Sequence, residues 1–146
     1  MALIEFKNKP DLTTPITADA LNHNFNELLN KSISESGSNN YGDYVKFADG
    51  TMICYRKVQV NIACTTQWGS LFVGVNQTQW NFAQAFIEKP LVQVSLFTTT
   101  SSSAWQVNFE LPVITESYIQ NLNICRATGS DSVACEFHIL AIGKWK

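Results

Sequence analysis

The chain has 146 residues, of which 45% are hydrophobic and 15% charged, and it carries a net charge of −2. That length suits one domain plus an appendage. The weak negative charge, with its ten Lys and Arg scattered along the chain, excludes the basic footprint that a nucleic-acid backbone requires. The charged share lies below the usual quarter, so Asn, Gln, Ser and Thr must supply the polar surface, as sugar-binding and subunit-packing surfaces do.

The start, from Met1 to Phe6, has neither a basic n-region nor a long apolar run. No stretch approaches the roughly 18 apolar residues of a membrane span. Synthesis in a cytoplasm without membrane insertion is the expectation. Residues 1–15 are polar and interrupted by Pro10 and Pro15. The spacing then predicts a helix over about 17–30. Thr17 suits its N-cap, Asp19 suits the positive end of the dipole, and Ile16 and Leu21 are placed for a hydrophobic staple. Ala18, Leu21, Phe25 and Leu28 make one narrow apolar stripe. A helix this short is marginal alone, so Leu21, Phe25 and Leu28 must pack on the chain's own β domain or mediate attachment or self-association, and the linker that follows favours the second. Residues 1–35 are read as an attachment segment. Ser32–Asn40 reads as flexible, and residues 36–43 are assigned as the linker to a β head over 44–146.

From Tyr41 the hydrophobic period becomes two. Tyr44–Phe47 and Thr51–Val58 flank Asp49-Gly50, a strong hairpin signal because the turn needs positive φ. Further strands are expected at Leu71–Val75, Leu91–Phe97, Ala104–Leu111, Tyr118–Ala127 and Ser132–Ile142. Trp80 with Phe82, and Phe86 with Leu91, are expected on buried faces. About six short strands without a second helix predict an antiparallel sandwich or barrel. Thr128–Asp131 reads as a hairpin loop whose register would bring Cys125 near Cys135. The cysteines Cys54, Cys64, Cys125 and Cys135 form no C-x-x-C pair. Buried free thiols are favoured over two cross-strand disulfides.

The sequence offers little for catalysis. His23 and His138 lack neighbours at metal-ligand spacing, apart from Cys135, three residues before His138. No nucleophile elbow and no phosphate-binding glycine loop is present. No enzyme, no metal and no cofactor are therefore expected. If a polysaccharide-trimming activity existed, Asp131 and Glu116 would be its first candidate carboxylates. The aromatics are more informative. Trp68 stands in a polar segment, Thr65–Ser70, and Trp105 follows the Thr/Ser run 98–103. An aromatic face beside hydroxyl and amide groups is what a sugar site needs. The candidate ligand contacts are Gln67, Trp68, Ser101, Ser102, Trp105, Arg126 and Asp131, on or beside the loops 65–70, 98–103 and 128–131.

Three stretches carry a family likeness. Tyr44-Val45-Lys46-Phe47-Ala48-Asp49-Gly50-Thr51-Met52-Ile53-Cys54-Tyr55 resembles the hairpin that opens the C-terminal domains of many phage tail-fibre proteins. Phe82, Phe86, Pro90, Val92 and Val94, with the ending Ala141-Ile142-Gly143-Lys144-Trp145, are similar to a frame shared by such fibre domains and H-type lectins. Thr14-Pro15-Ile16-Thr17-Ala18-Asp19-Ala20-Leu21-Asn22 resembles an opening common in phage baseplate and fibre proteins. The resemblance implies a six-stranded, H-type-lectin-like antiparallel sandwich that assembles as a homotrimer in a virion. It implies that the N-terminal segment meets other virion structural proteins and that the head binds a host cell-surface glycan, or another surface ligand, by multivalent contact. The alternative is a structural head-fibre or decoration protein with no receptor role.

Overall fold

The computed structural model describes residues 18–98, 103–107 and 112–146. Among these residues one helix, α1 (Ala18–Lys31), is followed by twelve strands. They are β1 (Ile33–Asn39), β2 (Gly42–Phe47), β3 (Thr51–Cys64), β4 (Thr66–Trp68), β5 (Leu71–Asn76), β6 (Trp80–Asn81), β7 (Leu91–Thr98), β8 (Trp105–Gln106), β9 (Val113–Ile114), β10 (Tyr118–Gln120), β11 (Leu122–Arg126) and β12 (Ser130–Lys144). Every pairing is antiparallel. The protein is therefore mainly β with one short N-terminal helix, as the change of period predicted. The capping residue Thr17 and the staple residue Ile16 lie outside the described residues.

The strands form a five-stranded sheet, β1-β2-β3-β12-β7, a four-stranded sheet, β4-β5-β11-β8, and a small sheet, β6-β10-β9. The spine is the long β3–β12 ladder, in register from Thr51↔Lys144 to Ile62↔Val133, with a register shift before the last pair, Cys64↔Ser130. Strict alternation explains it: Met52, Cys54, Val58, Ile62 and Cys64 on β3 are buried, as are Val133, Cys135, Phe137, Ile139 and Ala141 on β12. These side chains meet Phe82, Phe86, Ile119, Leu122 and Ile124 in one core. Only one face of the five-stranded sheet is packed in this way.

The predicted hairpin joins β2 to β3. Gly50 has φ 88°, its N–H donates to the Phe47 carbonyl at 3.0 Å, and the Thr51 N–H donates to Asp49 Oδ1 at 2.8 Å. The two halves of the second sequence frame also meet. A Cβ on Gly143 would lie 2.8 Å from the Phe86 ring and 3.1 Å from Pro90, so the glycine makes room for the buried Phe86 and Pro90 against β12. The Trp145 indole N–H donates to the Phe47 carbonyl at 3.0 Å, which ties the chain end to the hairpin. These motif residues hold the fold together.

Several expectations need correction. Residues 36–39 of the predicted linker belong to β1, which pairs with β2 along its length. Glu35 there accepts from Tyr44 Oη at 2.6 Å and from Lys46 Nζ at 2.9 Å. An edge strand held by backbone bonds and polar contacts carries no apolar pattern to announce it. The predicted strand 118–127 is two strands in different sheets, broken at Asn121 with φ 64°. Asn adopts this left-handed conformation more readily than most residues. The segment 128–131 does not close a hairpin: it carries the chain from the four-stranded to the five-stranded sheet. Cys125 accordingly pairs with Val73, and Cys135 with Val60 and Thr98. All four thiols are free and buried, and burial pushes the Cys135 thiol up to about 11. Leu91, expected on a buried face, is 70% exposed.

Candidate functional site

Whether the three predicted loops meet is a question of topology. Cys64, at the end of β3, pairs with Ser130 at the start of β12, and the next residues turn the chain into β4. A Cβ on Gly129 would lie 3.3 Å from the Phe72 ring and 3.5 Å from the Cys64 carbonyl oxygen. Phe72 pairs with both Gln67 and Arg126. Arg126 Nε donates to the Ser103 carbonyl at 3.0 Å. Among the described residues, parts of all three loops therefore converge on one end of the four-stranded sheet. Ser101 and Ser102 lie outside the described residues.

Strand alternation then sorts the candidate contacts by face. Thr66, Val73, Cys125 and Trp105 stand opposite one another across β4, β5, β11 and β8. Trp68 shares the face of Thr66, being two residues further along β4. This is the face turned away from the core, since Phe72 and Ile124 on the other face belong to it. Trp68 is 49% exposed and Trp105 55% exposed, whereas Val73 and Cys125 between them are buried. At the usual strand spacing the two edge strands are about 14 Å apart. The result is a closed apolar floor with an indole at each edge. Thr66 is the hydroxyl on that row, which bears no charged side chain.

The other candidates have different roles. Gln67 alternates onto the opposite face, and its side-chain amide donates to the Gly69 carbonyl at 3.2 Å, within its own turn. Arg126, through Ser103, secures the chain just before Trp105 and so positions β8. Asp131 is exposed at the start of β12, in the other sheet, beside a register irregularity between Ser130 and Val133. On the described helix Leu21, Phe25 and Leu28 are exposed, Phe25 to 61%.

The sequence reading passed over a second surface, the outer face of the five-stranded sheet. His138 Nε2 lies 2.6 Å from Glu136 Oε1, and the imidazole sits against the Phe97 ring with centroids 4.6 Å apart. Gln59 Nε2 donates to Glu136 at 3.0 Å. Gln59, with His138 second, holds the Glu136 carboxyl below the usual carboxylate range. Cys135 points into the core on the opposite face of β12 from His138. Among the described residues, no three His, Cys, Asp or Glu side chains come together as metal ligands would, and no helix is long and apolar enough to cross a membrane.

No family model matches the chain. No curated protein matches it either. Two solved structures are similar in outline. An N-truncated R1-type pyocin tail fibre is 12% identical with a TM-score of 0.49, covering 88% of this chain and 98% of that one. A C-terminal fragment of the P. aeruginosa R1 pyocin fibre is 13% identical with a TM-score of 0.48, covering 88% of this chain and 32% of that one. This chain thus spans about a third of the longer fragment.

Proposed function

We propose that the protein is a non-catalytic binding module of a phage fibre or similar virion appendage. It attaches through its N-terminal segment and recognises a host-surface glycan through the outer face of the four-stranded sheet. The observation that carries the reading is the pair of half-exposed tryptophans, Trp68 and Trp105, on one uncharged face above a closed apolar floor. Exposing two indoles forfeits apolar burial, a cost that a ligand with C–H faces recovers. Standing on opposite edge strands of the sheet, they suit contacts with successive units of a chain. The Arg126 bond to the Ser103 carbonyl fixes the chain entering β8, the strand that carries Trp105.

Such contacts are individually weak. Several copies on one appendage, three in the trimer that the motifs imply, raise the effective concentration of the second and third sites. The exposed helical stripe, Leu21, Phe25 and Leu28, fits attachment to the rest of the particle. Neither cofactor nor metal enters this reading.

The test is retention of the purified full chain on a glycan array and on host cells. Trp68→Ala and Trp105→Ala should each reduce retention, and the double variant should abolish it while the melting temperature stays close to that of the parent. Undiminished retention by the double variant would move the site elsewhere. If the unmodified protein is not retained on any surface, the structural decoration role is left.

A further inference from the structure

The outer face of the five-stranded sheet changes character along its strands. Beside the chain end lies a row of four apolar side chains from four adjacent strands: Leu91, Ile142, Ile53 and Val45. Leu140 and Tyr55 flank it in the next row, between Gln93 and Asp43. One row further the face is polar, with Ser95, His138 and Lys57 aligned. Antiparallel sheets with a solvated face normally keep it polar by alternation. Here β3 and β12 both abandon that rule at the same end. Leu91 is 70% exposed and Ile142 36% exposed.

We infer that this face is a contact between copies of the chain, with the Val45–Ile53–Ile142–Leu91 row as its dry centre. The inference rests on the multivalent reading above and deepens it by naming the surface that joins the copies. Four observations favour a second copy as the occupant. Leu91, Ile142, Leu140 and Tyr55 all stand exposed on this one face, a contiguous apolar patch of the kind that marks an interaction site. A protein interface has an apolar centre within a polar rim, and Gln93, Ser95, Lys57 and Asp43 supply such a rim around the row. The rim carries both signs of charge, so two copies meet without the repulsion that a single-sign rim would impose. A protruding Leu91 also stands beside a recess of about 370 Å³ lined by Tyr55, Gln93, Ser95, His138 and Leu140 among others. A projection and a recess on one surface are what self-complementary packing needs.

The experiment is sedimentation of the full chain at micromolar concentration, with circular dichroism to confirm folding. The parent should sediment as a multiple of the chain mass. Ile142→Glu should reduce it to a single chain while the β spectrum is kept. Leu91→Gln, at an exposed edge position that tolerates polarity, should raise the dissociation constant about tenfold or more. It carries the test alone if Ile142→Glu does not fold. Phe25→Gln on the helix should leave the mass unchanged. A single-chain parent, sheet variants that keep the parent's mass, or dissociation by Phe25→Gln alone would each overturn the inference. Loss of glycan retention in a protein that stays assembled would count against the binding reading and not against this one.

Discussion

Gly74 offers a sharp test of how the tryptophan face is held. It lies in β5, the strand between Trp68's strand and the strand paired with β8. A Cβ at this position would lie 2.4 Å from the Ala63 carbonyl oxygen, 2.7 Å from Ile62 Cγ2 and 3.0 Å from the Ala63 carbonyl carbon. Two of these atoms are backbone of β3 at Ala63, whose neighbours Ile62 and Cys64 are paired to β12 on either side of it. A backbone atom at 2.4 Å cannot stay where it is, so Gly74→Ala must push β5 and β3 apart. Overpacking of this kind costs typically 1–3 kcal/mol, and about 3 kcal/mol is expected here because backbone must move. For a chain of this size that lowers the melting temperature by about 10 °C. Gly69→Ala is the internal control. Gly69 has φ 61° with no atom within 4 Å of the added Cβ, so only left-handed strain of about 1 kcal/mol is expected. Thermal unfolding followed by circular dichroism reads both. If Gly74→Ala melts no lower than Gly69→Ala, the close approach of β5 to β3 is wrong, and so is the support drawn here for the tryptophan face.

Three more outcomes are expected. Trp145→Phe removes the indole donor to the Phe47 carbonyl and should cost about 1 kcal/mol in chemical denaturation, leaving glycan retention intact. In the native state Glu35 is held low by the Tyr44 hydroxyl and Lys46, Asp49 by the Thr51 N–H, and Glu136 by Gln59 and His138. Folded values below unfolded ones mean that this stability is complete above the ordinary carboxylate range and is lost as pH falls through the folded values. The melting temperature should therefore drop on acidification below about pH 4, and by less in a Glu35→Gln variant. Finally, the four buried thiols should react with an aromatic disulfide reagent only after denaturation; rapid labelling of the native protein would contradict their burial.

The sequence made some elements legible and concealed others for identifiable reasons. The Asp49-Gly50 hairpin was readable because only a residue free of Cβ strain fits its turn. The spine strands were readable because alternation repeats over many residues, although the reading stopped at Val58 while the polar outer residues Gln59 and Asn61 continued the same pattern to Cys64. β1 was missed because Ser, Gly and Asn at an edge look like a linker until Glu35 finds Tyr44 and Lys46. The division of 118–127 at Asn121 was hidden in a single dihedral angle.

The candidate site was partly legible in the same way. Trp68 and Trp105 stood out by their polar context, and the structure puts them on one face. Gln67 and Arg126 adjoin the same loops in sequence, but alternation turns both to the opposite face. The row Val45, Ile53, Ile142 and Leu91 was invisible, because its members come from four strands spread over almost a hundred residues.

By itself, then, the sequence determined the helix-then-sheet layout, the hairpin, the core-facing sets of β3 and β12 and the two exposed aromatics, all of which depend on neighbours within a few residues. Only the tertiary structure decided which sheet each strand joined, which loops converged and which apolar residues were left facing outward. Those outcomes depend on long-range pairing, in which each strand's partner lies far along the chain and its register is fixed only when both faces are assembled.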